Sequence, residues 1–199
     1  HPLLQLARSA LLVALGGWPQ DAMFSILKSG LAGLTLDQAD ELENYVLAHR
    51  IHGDAWSQPD PWTYARRITR RDADDVDTPD HPPDAQRADA LRRRLIDPLL
   101  PFVRALHQPD LTVRKIVTAM LELLEALGVR TTLATWILDA EHAGRLEEKA
   151  EHEQVWTELV ELLDQMVELI GDEPVDLPDF LSLMETGLAQ FDLAITPPT

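Results

Sequence analysis

The chain has 199 residues, 34 acidic against 17 basic, a formal charge of −17 and no cysteine. At 45% hydrophobic and 26% charged it can bury a core of its own and reads as globular, not disordered. Lacking cysteine, it can form no disulfide, iron–sulfur cluster or thiolate zinc site, and its acidity argues against coating itself in nucleic acid through bulk charge.

The sequence opens on His1-Pro2 without an initiating Met and stops at Thr196-Pro197-Pro198-Thr199, so a piece of a larger cytoplasmic protein is expected. Residues 1–16 are apolar-rich, but Arg8 interrupts them and no basic stretch precedes them, which argues against a signal peptide. No run approaches the roughly 20 apolar residues of a membrane span, so no membrane partner is expected.

In chain order the pattern is helical almost throughout. Leu4, Ala7, Leu11 and Leu15 recur at helical spacing before a Gly16-Gly17 stop. Pro19 opens a short helix with Met23, Phe24, Ile26 and Leu27, ending at Gly30. Thr35 and Gln38 have capping-box spacing ahead of a helix to about Arg50, whose buried stripe is expected to be Leu36, Ala39, Leu42, Tyr45 or Val46, and His49.

Residues 52–83 break the pattern with Pro59, Pro61, Pro79, Pro82 and Pro83 and an aspartate cluster from Asp72 to Asp80. Proline fixes φ and removes a donor, so this is expected to be a long irregular loop with at most one helical turn near Tyr64–Ile68. Helices resume at about Asp84, where Pro98 and Pro101 should kink or break the next one before Phe102–His107. Thr112 caps a helix carrying Val113, Ile116, Val117, Met120, Leu124 and Leu127 on one face, stopped by Gly128; another runs from Thr131 to Ala143.

The longest element, Arg145 to Ile170, spans about 39 Å at roughly 1.5 Å per residue. It carries two adjacent apolar stripes: Val155, Leu159, Leu162, Met166 and Leu169, then Trp156, Val160, Leu163, Val167 and Ile170. So wide a face should touch more than one neighbour, whereas Glu147 to Glu153 is polar all round and should project into solvent. After a last helix from Leu177 to about Gln190, Phe191, Leu193 and Ile195 alternate with polar or small residues like a short strand. The expected fold is therefore all-α: an irregular bundle of about seven helices in a single domain over 1–199, with one long central helix, the 52–83 loop and a short C-terminal strand.

Catalytic signatures are missing. The only Lys-Ser, Lys28-Ser29, has Ala22 and Leu27 where a phosphate-binding loop needs glycine, and no dinucleotide fingerprint or nucleophile elbow occurs. Glu141, His142, Glu148, His152 and Glu153 cluster, but neither His-Glu-x-x-His nor paired Glu-x-x-His is present, so the cluster reads as a solvated face and no metal site is assigned. His1, His81 and His107 fall where solvated or capping histidines are usual.

The stretch Trp56 to Arg71 is the most suggestive. Arg66, Arg67, Arg70 and Arg71 share one side of a helical turn, with Trp56, Trp62 and Tyr64 before them, a combination suited to phosphate contact and base stacking. The plainer reading is that these arginines neutralise Asp72–Asp80 while the tryptophans pin the loop to the helices. Arg92-Arg93-Arg94 repeats the nucleic-acid signal more weakly.

Leu27-Lys28-Ser29-Gly30-Leu31, Leu42-Glu43-Asn44-Tyr45-Val46-Leu47-Ala48, Gly53 and Trp56 together resemble the AddB family, the B subunits of AddAB-type ATP-dependent helicase/nucleases. Gly144-Arg145-Leu146, Glu151-His152-Glu153-Gln154-Val155-Trp156, Leu162-Leu163-Asp164-Gln165 and Ile195-Thr196-Pro197-Pro198-Thr199 are similar to the same family. The resemblance implies a 2B-type helical insertion within the second RecA-like domain of a superfamily 1 helicase fold. It implies a parent subunit that, with its A-subunit partner, unwinds and resects broken double-stranded DNA for recombinational repair and helps recognise a Chi-type sequence. ATP with Mg, the iron–sulfur cluster and the nuclease residues would belong to other parts of that parent; no position here matches them. On this view the piece itself is not an enzyme. A free-standing acidic helical adaptor is the competing reading, and an enzyme with a carboxylate site hidden from sequence inspection comes last.

The charge is unevenly placed. Residues 121–199 hold 3 basic and 18 acidic side chains, while 1–120 hold 14 and 16. Any arginine that meets a phosphate is thus expected in the first part of the chain.

Overall fold

The computed structural model describes residues 1–64 and 83–195. Over these residues the chain is all-α, with eight α-helices and a 3₁₀ turn at Gly53–Trp56. The helices are α1 (Pro2–Leu15), α2 (Gln20–Lys28), α3 (Leu36–His49), α4 (Pro83–Leu106), α5 (Val113–Ala126), α6 (Val129–His142), α7 (Leu146–Ile170) and α8 (Leu177–Ile195). Every helix contributes side chains to one hydrophobic core.

The helix starts follow the local chemistry. His1 Nδ1 accepts the Leu3 N–H at 3.0 Å, and Pro2 occupies the first turn of α1, where no amide is needed. At α3, Thr35 Oγ1 accepts the Gln38 N–H and Gln38 Oε1 accepts the Thr35 N–H, completing the capping box. Thr112 Oγ1 accepts the Lys115 N–H at the start of α5. Gly128, in the left-handed conformation, lets α5 give way at once to α6.

α1 is the most enclosed helix. Leu3, Leu6, Leu11 and Val13 are buried together with the small Ala7, Ser9, Ala10 and Ala14, and small residues let α2, α4, α7 and α8 approach its different sides. An exposed Arg8–Glu185 pair at 2.7 Å links it to α8, a contact that contributes little on its own. α7 has the expected length and packs on α1, α5, α6 and α8, burying Val155, Leu159, Leu162, Leu163 and Met166.

Several sequence expectations are corrected. Pro98 and Pro101 do not break α4, which is assigned as one helix from Pro83 to Leu106. Buried side chains before, between and after them (Leu95, Leu99 and Phe102) keep the helix continuous across the missing amides. Leu36 is 68% exposed because it sits in the first turn of α3, away from the face that carries Ala39, Leu42, Tyr45 and Val46. Leu169 is 82% exposed, so the first stripe of α7 stops contributing after Met166. Residues 191–195 continue α8 as helix and form no strand. Five alternating residues carry little periodic information, and a strand needs a partner; among the described residues the single bridge joins Thr112 and Pro174. Of the helical turn expected near Tyr64–Ile68, residues 65–68 lie outside the described residues, as do residues 69–82 and His81 among them.

The bundle is tied at two further points. Where α7 passes to α8, the Arg114 N–H donates to Gly171 O at 2.8 Å and the Val175 N–H to Leu111 O at 3.1 Å. Arg114 also donates to both Asp172 oxygens, which holds that carboxyl below the usual aspartate range. Between α2 and α3, Gly30 turns at φ +72° directly under Trp136 of α6; a Cβ built there would lie 2.9 Å from the indole. Gly30→Ala combines left-handed strain with that clash and should cost about 1–3 kcal/mol. A urea melt checks this: the midpoint should fall with the slope unchanged, and an unshifted midpoint would mean that Trp136 does not close over the turn.

Candidate nucleic-acid interface

The residues singled out for DNA contact follow directly on a tightly built stem. The chain leaves α3 through Arg50, passes the Gly53–Trp56 turn and runs irregularly to Tyr64. Trp56 and Trp62 are both buried, so the tryptophans do pin this loop to the helices. Trp62 is the hub. It stacks on Tyr45 of α3 with centroids 5.9 Å apart, meets Trp56 edge-on at 5.5 Å, and donates from Nε1 to Ala55 O at 2.9 Å. Tyr64 packs edge-on against it at 6.1 Å.

α4 supplies the polar half of the stem. The Arg92 side chain is only 2% exposed, and its guanidinium lies 5.0 Å from the Trp62 ring centroid. Nη1 donates to Trp56 O and Gln58 O at 3.1 and 2.8 Å; Nη2 donates to Asp60 O at 3.1 Å and pairs with Asp89 Oδ1 at 2.6 Å. Asp89 also accepts the Trp62 N–H at 3.1 Å and Arg93 Nε at 2.9 Å. Burial alone would raise the Asp89 pKa, but the hydrogen bonds from Arg93 and Trp62 and the charge and hydrogen bond of Arg92 outweigh it and hold the carboxyl below its ordinary value. Arg93 closes a further bond to Pro59 O, and Arg94 donates to Gly33 O and to Gln38.

This corrects the weaker arginine signal. Arg92 and Arg93 spend donors on loop carbonyls and on Asp89, because a proline-rich segment without regular structure leaves oxygens that need partners, and Arg94 turns to Gly33 O and the Gln38 side chain at the start of α3. Among the described residues, Arg92 Nε and Trp56 Nε1 are the buried side-chain donors without an acceptor. Asp89 is an anchor that inspection of the sequence does not single out, and Tyr45, expected only as part of the α3 stripe, anchors the loop as well. The i, i+3 and i, i+4 spacing of Asp89 to Arg92 and Arg93 is the available clue.

Arg66, Arg67, Arg70 and Arg71 lie outside the described residues, between Tyr64 and Pro83. Tyr45 contacts the flank that precedes that segment and feels the charge of the flank that follows it. Its hydroxyl donates to Tyr64 O at 2.8 Å, and Asp84, at the start of α4, is close enough to act on its charge. Burial, with the nearby Tyr64, Asp84 and Asp89 adding to it, pushes the Tyr45 phenol from 10.0 up to about 12.

The acidic cluster on α6 and α7 is an ion-pair face with one unexpected element. Lys149 sits between Glu141 at 3.1 Å and Glu153 at 3.7 Å, and Arg145 meets Glu148 at 3.0 Å. His152, however, is buried: its Nδ1 lies 2.9 Å from His1 Nε2, and its ring packs on Trp136. The start of α7 is thus docked along α6 instead of projecting free, since His152 faces inward among the glutamates. His1 acts as a cap, as does His107, whose Nδ1 approaches Val103 O at 2.8 Å. Among the described residues no group of three or more His, Cys, Asp or Glu is placed to hold a metal ion, and no helix is long and apolar enough to cross a membrane. A chain without cysteine or a glycine phosphate loop does not fit an iron–sulfur cluster or a loop-bound nucleotide.

The Tyr45 environment predicts an alkaline loss of stability. Below pH 10 both folded and unfolded chains keep the phenol proton. From 10 to about 12 the unfolded chain releases it while the folded chain retains it, so stability falls as pH rises through that window. In chemical denaturation between pH 9 and 12 (roughly, spanning the ordinary tyrosine value), Tyr45→Phe should show a shallower decline than the parent. Parallel declines would place Tyr45 in an ordinary environment.

No model of a known protein family matches the chain. Curated proteins do. The chain is 40% identical over 201 residues to the ATP-dependent helicase/deoxyribonuclease B subunit of Symbiobacterium thermophilum. It is 39% identical over 198 residues to that of Desulforamulus reducens and 38% over 200 to that of Moorella thermoacetica. In each case the match covers 100% of this chain and 17% of the relative. Along its whole length, the chain therefore corresponds to one segment of the family of ATP-dependent helicase/deoxyribonuclease B subunits.

Proposed function

We propose that this chain is a non-catalytic helical domain of an AddB-like subunit, a 2B-like insertion that contributes to the subunit interface and to the path of duplex DNA. The parent would pair with an A subunit in the cytoplasm and resect double-strand breaks for recombinational repair, with ATP, Mg and any iron–sulfur cluster held elsewhere in its sequence. The observation that carries the reading is the whole-length match to proteins named as helicase/deoxyribonuclease B subunits.

Two physical features support the DNA half. The Asp89–Arg92 clamp and the Tyr45 contact fix the chain as far as Tyr64, two residues before Arg66 in the sequence. The charge division favours the same part of the chain, since residues 121–199, with 18 acids against 3 bases, would repel a phosphate backbone. The second reading, an acidic adaptor for a protein partner, draws on the incompletely covered face of α7.

The test is binding of forked duplex by the assembled two-subunit complex across a salt series, with the four arginines changed to Ala. Each lost phosphate contact should flatten the log–log salt dependence by about 0.9. An unchanged slope removes the DNA role from these residues.

A further inference from the structure

The second apolar stripe of α7 is only half used. Trp156, Val160, Val167 and Ile170 are each partly exposed, although the neighbouring stripe is buried as far as Met166. At 100° per residue they occupy one continuous face, and Glu153, Glu161, Asp164 and Glu168 line its solvent edge. All four carboxylates are exposed. At the α6 end the stripe opens into a cavity of about 230 Å³ lined by Leu133, Ala134, Ile137 and Trp156, with His152 and Glu153 also on its wall. Arg130 covers one side of it, 5.6 Å from the Trp156 ring centroid, and Leu138 stands 54% exposed farther along α6.

We infer that this groove docks a basic amphipathic helix of a protein partner. The apolar stripe of that helix would lie over Val160 and Val167, with a large side chain in the cavity beside Trp156. Its lysines and arginines would face the carboxylate edge. Charge decides the occupant. A second copy of this chain would bring the same carboxylates against themselves, and a nucleic acid would meet four acids where it needs bases. The spacing decides the shape: the partly exposed positions 156, 160, 167 and 170 lie along one helical stripe, with Leu163 between them turned into the core, a pattern that receives a helix in a groove. This inference rests on the partner-contact half of the proposed function and names its surface.

The probe is a fluorescein-labelled helical peptide of about 18 residues, five turns, with leucines on one stripe and Lys or Arg elsewhere. It is titrated by anisotropy against the 199-residue chain, beside a control with the same leucines and Glu at the charged positions. The basic peptide should bind and the acidic one should not. Val160→Glu should weaken binding by at least about tenfold. Because Val160→Glu could disturb folding, the triple reversal Glu161→Lys, Asp164→Lys, Glu168→Lys, confined to exposed positions, should weaken it comparably while circular dichroism stays unchanged. Failure of the basic peptide to bind would overturn the inference, as would equal binding to Val160→Glu, which would mean bulk charge alone. Self-association of the parent chain that Val160→Glu abolishes would assign the face to a second copy and overturn it too. None of these failures touches the arginine reading, which is decided on DNA with variants at positions 66–71.

Discussion

The buried pairing of Asp89 with Arg92 decides where the chain between α3 and α4 can run. A guanidinium enclosed by protein needs partners for its donors, and through Nη1 and Nη2 Arg92 meets four acceptors, three loop carbonyls and one carboxylate oxygen, leaving only Nε without one. Those carbonyls belong to a segment with Pro59 and Pro61, which cannot satisfy them through regular structure. Desolvating both charges costs several kcal/mol, and their attraction offsets this only with good geometry. Here the 2.6 Å contact, the Trp62 N–H and Arg93 supply that geometry. Removing one partner would leave the other buried and unmatched, so the pair fixes the path of the loop more than it adds to stability.

The rest of the stem follows. With the loop drawn onto α4, Trp62 can lie between Tyr45, Trp56 and Arg92, and the Tyr45 hydroxyl reaches Tyr64 O. The part of the chain with nearly balanced charge is thereby organised around α3 and α4. The strongly acidic part forms α6, α7 and α8 on the far side of the sequence, joined to the first through the buried α1. The net charge is thus divided along the chain, near balance over residues 1–120 and strongly negative over 121–199.

Much of this is legible in sequence, and the failures have physical causes. Helix starts are readable because caps are local: Thr35 with Gln38, and Thr112, act within one turn. Glycine stops are readable for the same reason. The AddB-like resemblance is carried by short blocks that the whole-length similarity to helicase/deoxyribonuclease B subunits supports. Continuity through Pro98 and Pro101 is not readable, because burial by distant helices overrides a local penalty. Nor is the role of Arg92, since a solvated arginine and a buried one look alike until their partners are known. The expected strand at 191–195 fails because period-two alternation over five residues does not distinguish a strand from the last turn of a helix. His152 is misread by the company it keeps: one inward residue among glutamates is invisible to a composition argument.

If Asp89 and Arg92 act as one unit in holding the loop, their substitutions must be coupled. A double-mutant cycle of Asp89→Asn and Arg92→Met, followed by urea denaturation at neutral pH, measures that coupling. Single losses far from additive are expected, with a coupling energy of about 2 kcal/mol or more. Losses that add to within about 0.5 kcal/mol would show two independent residues, and the loop would then need another anchor.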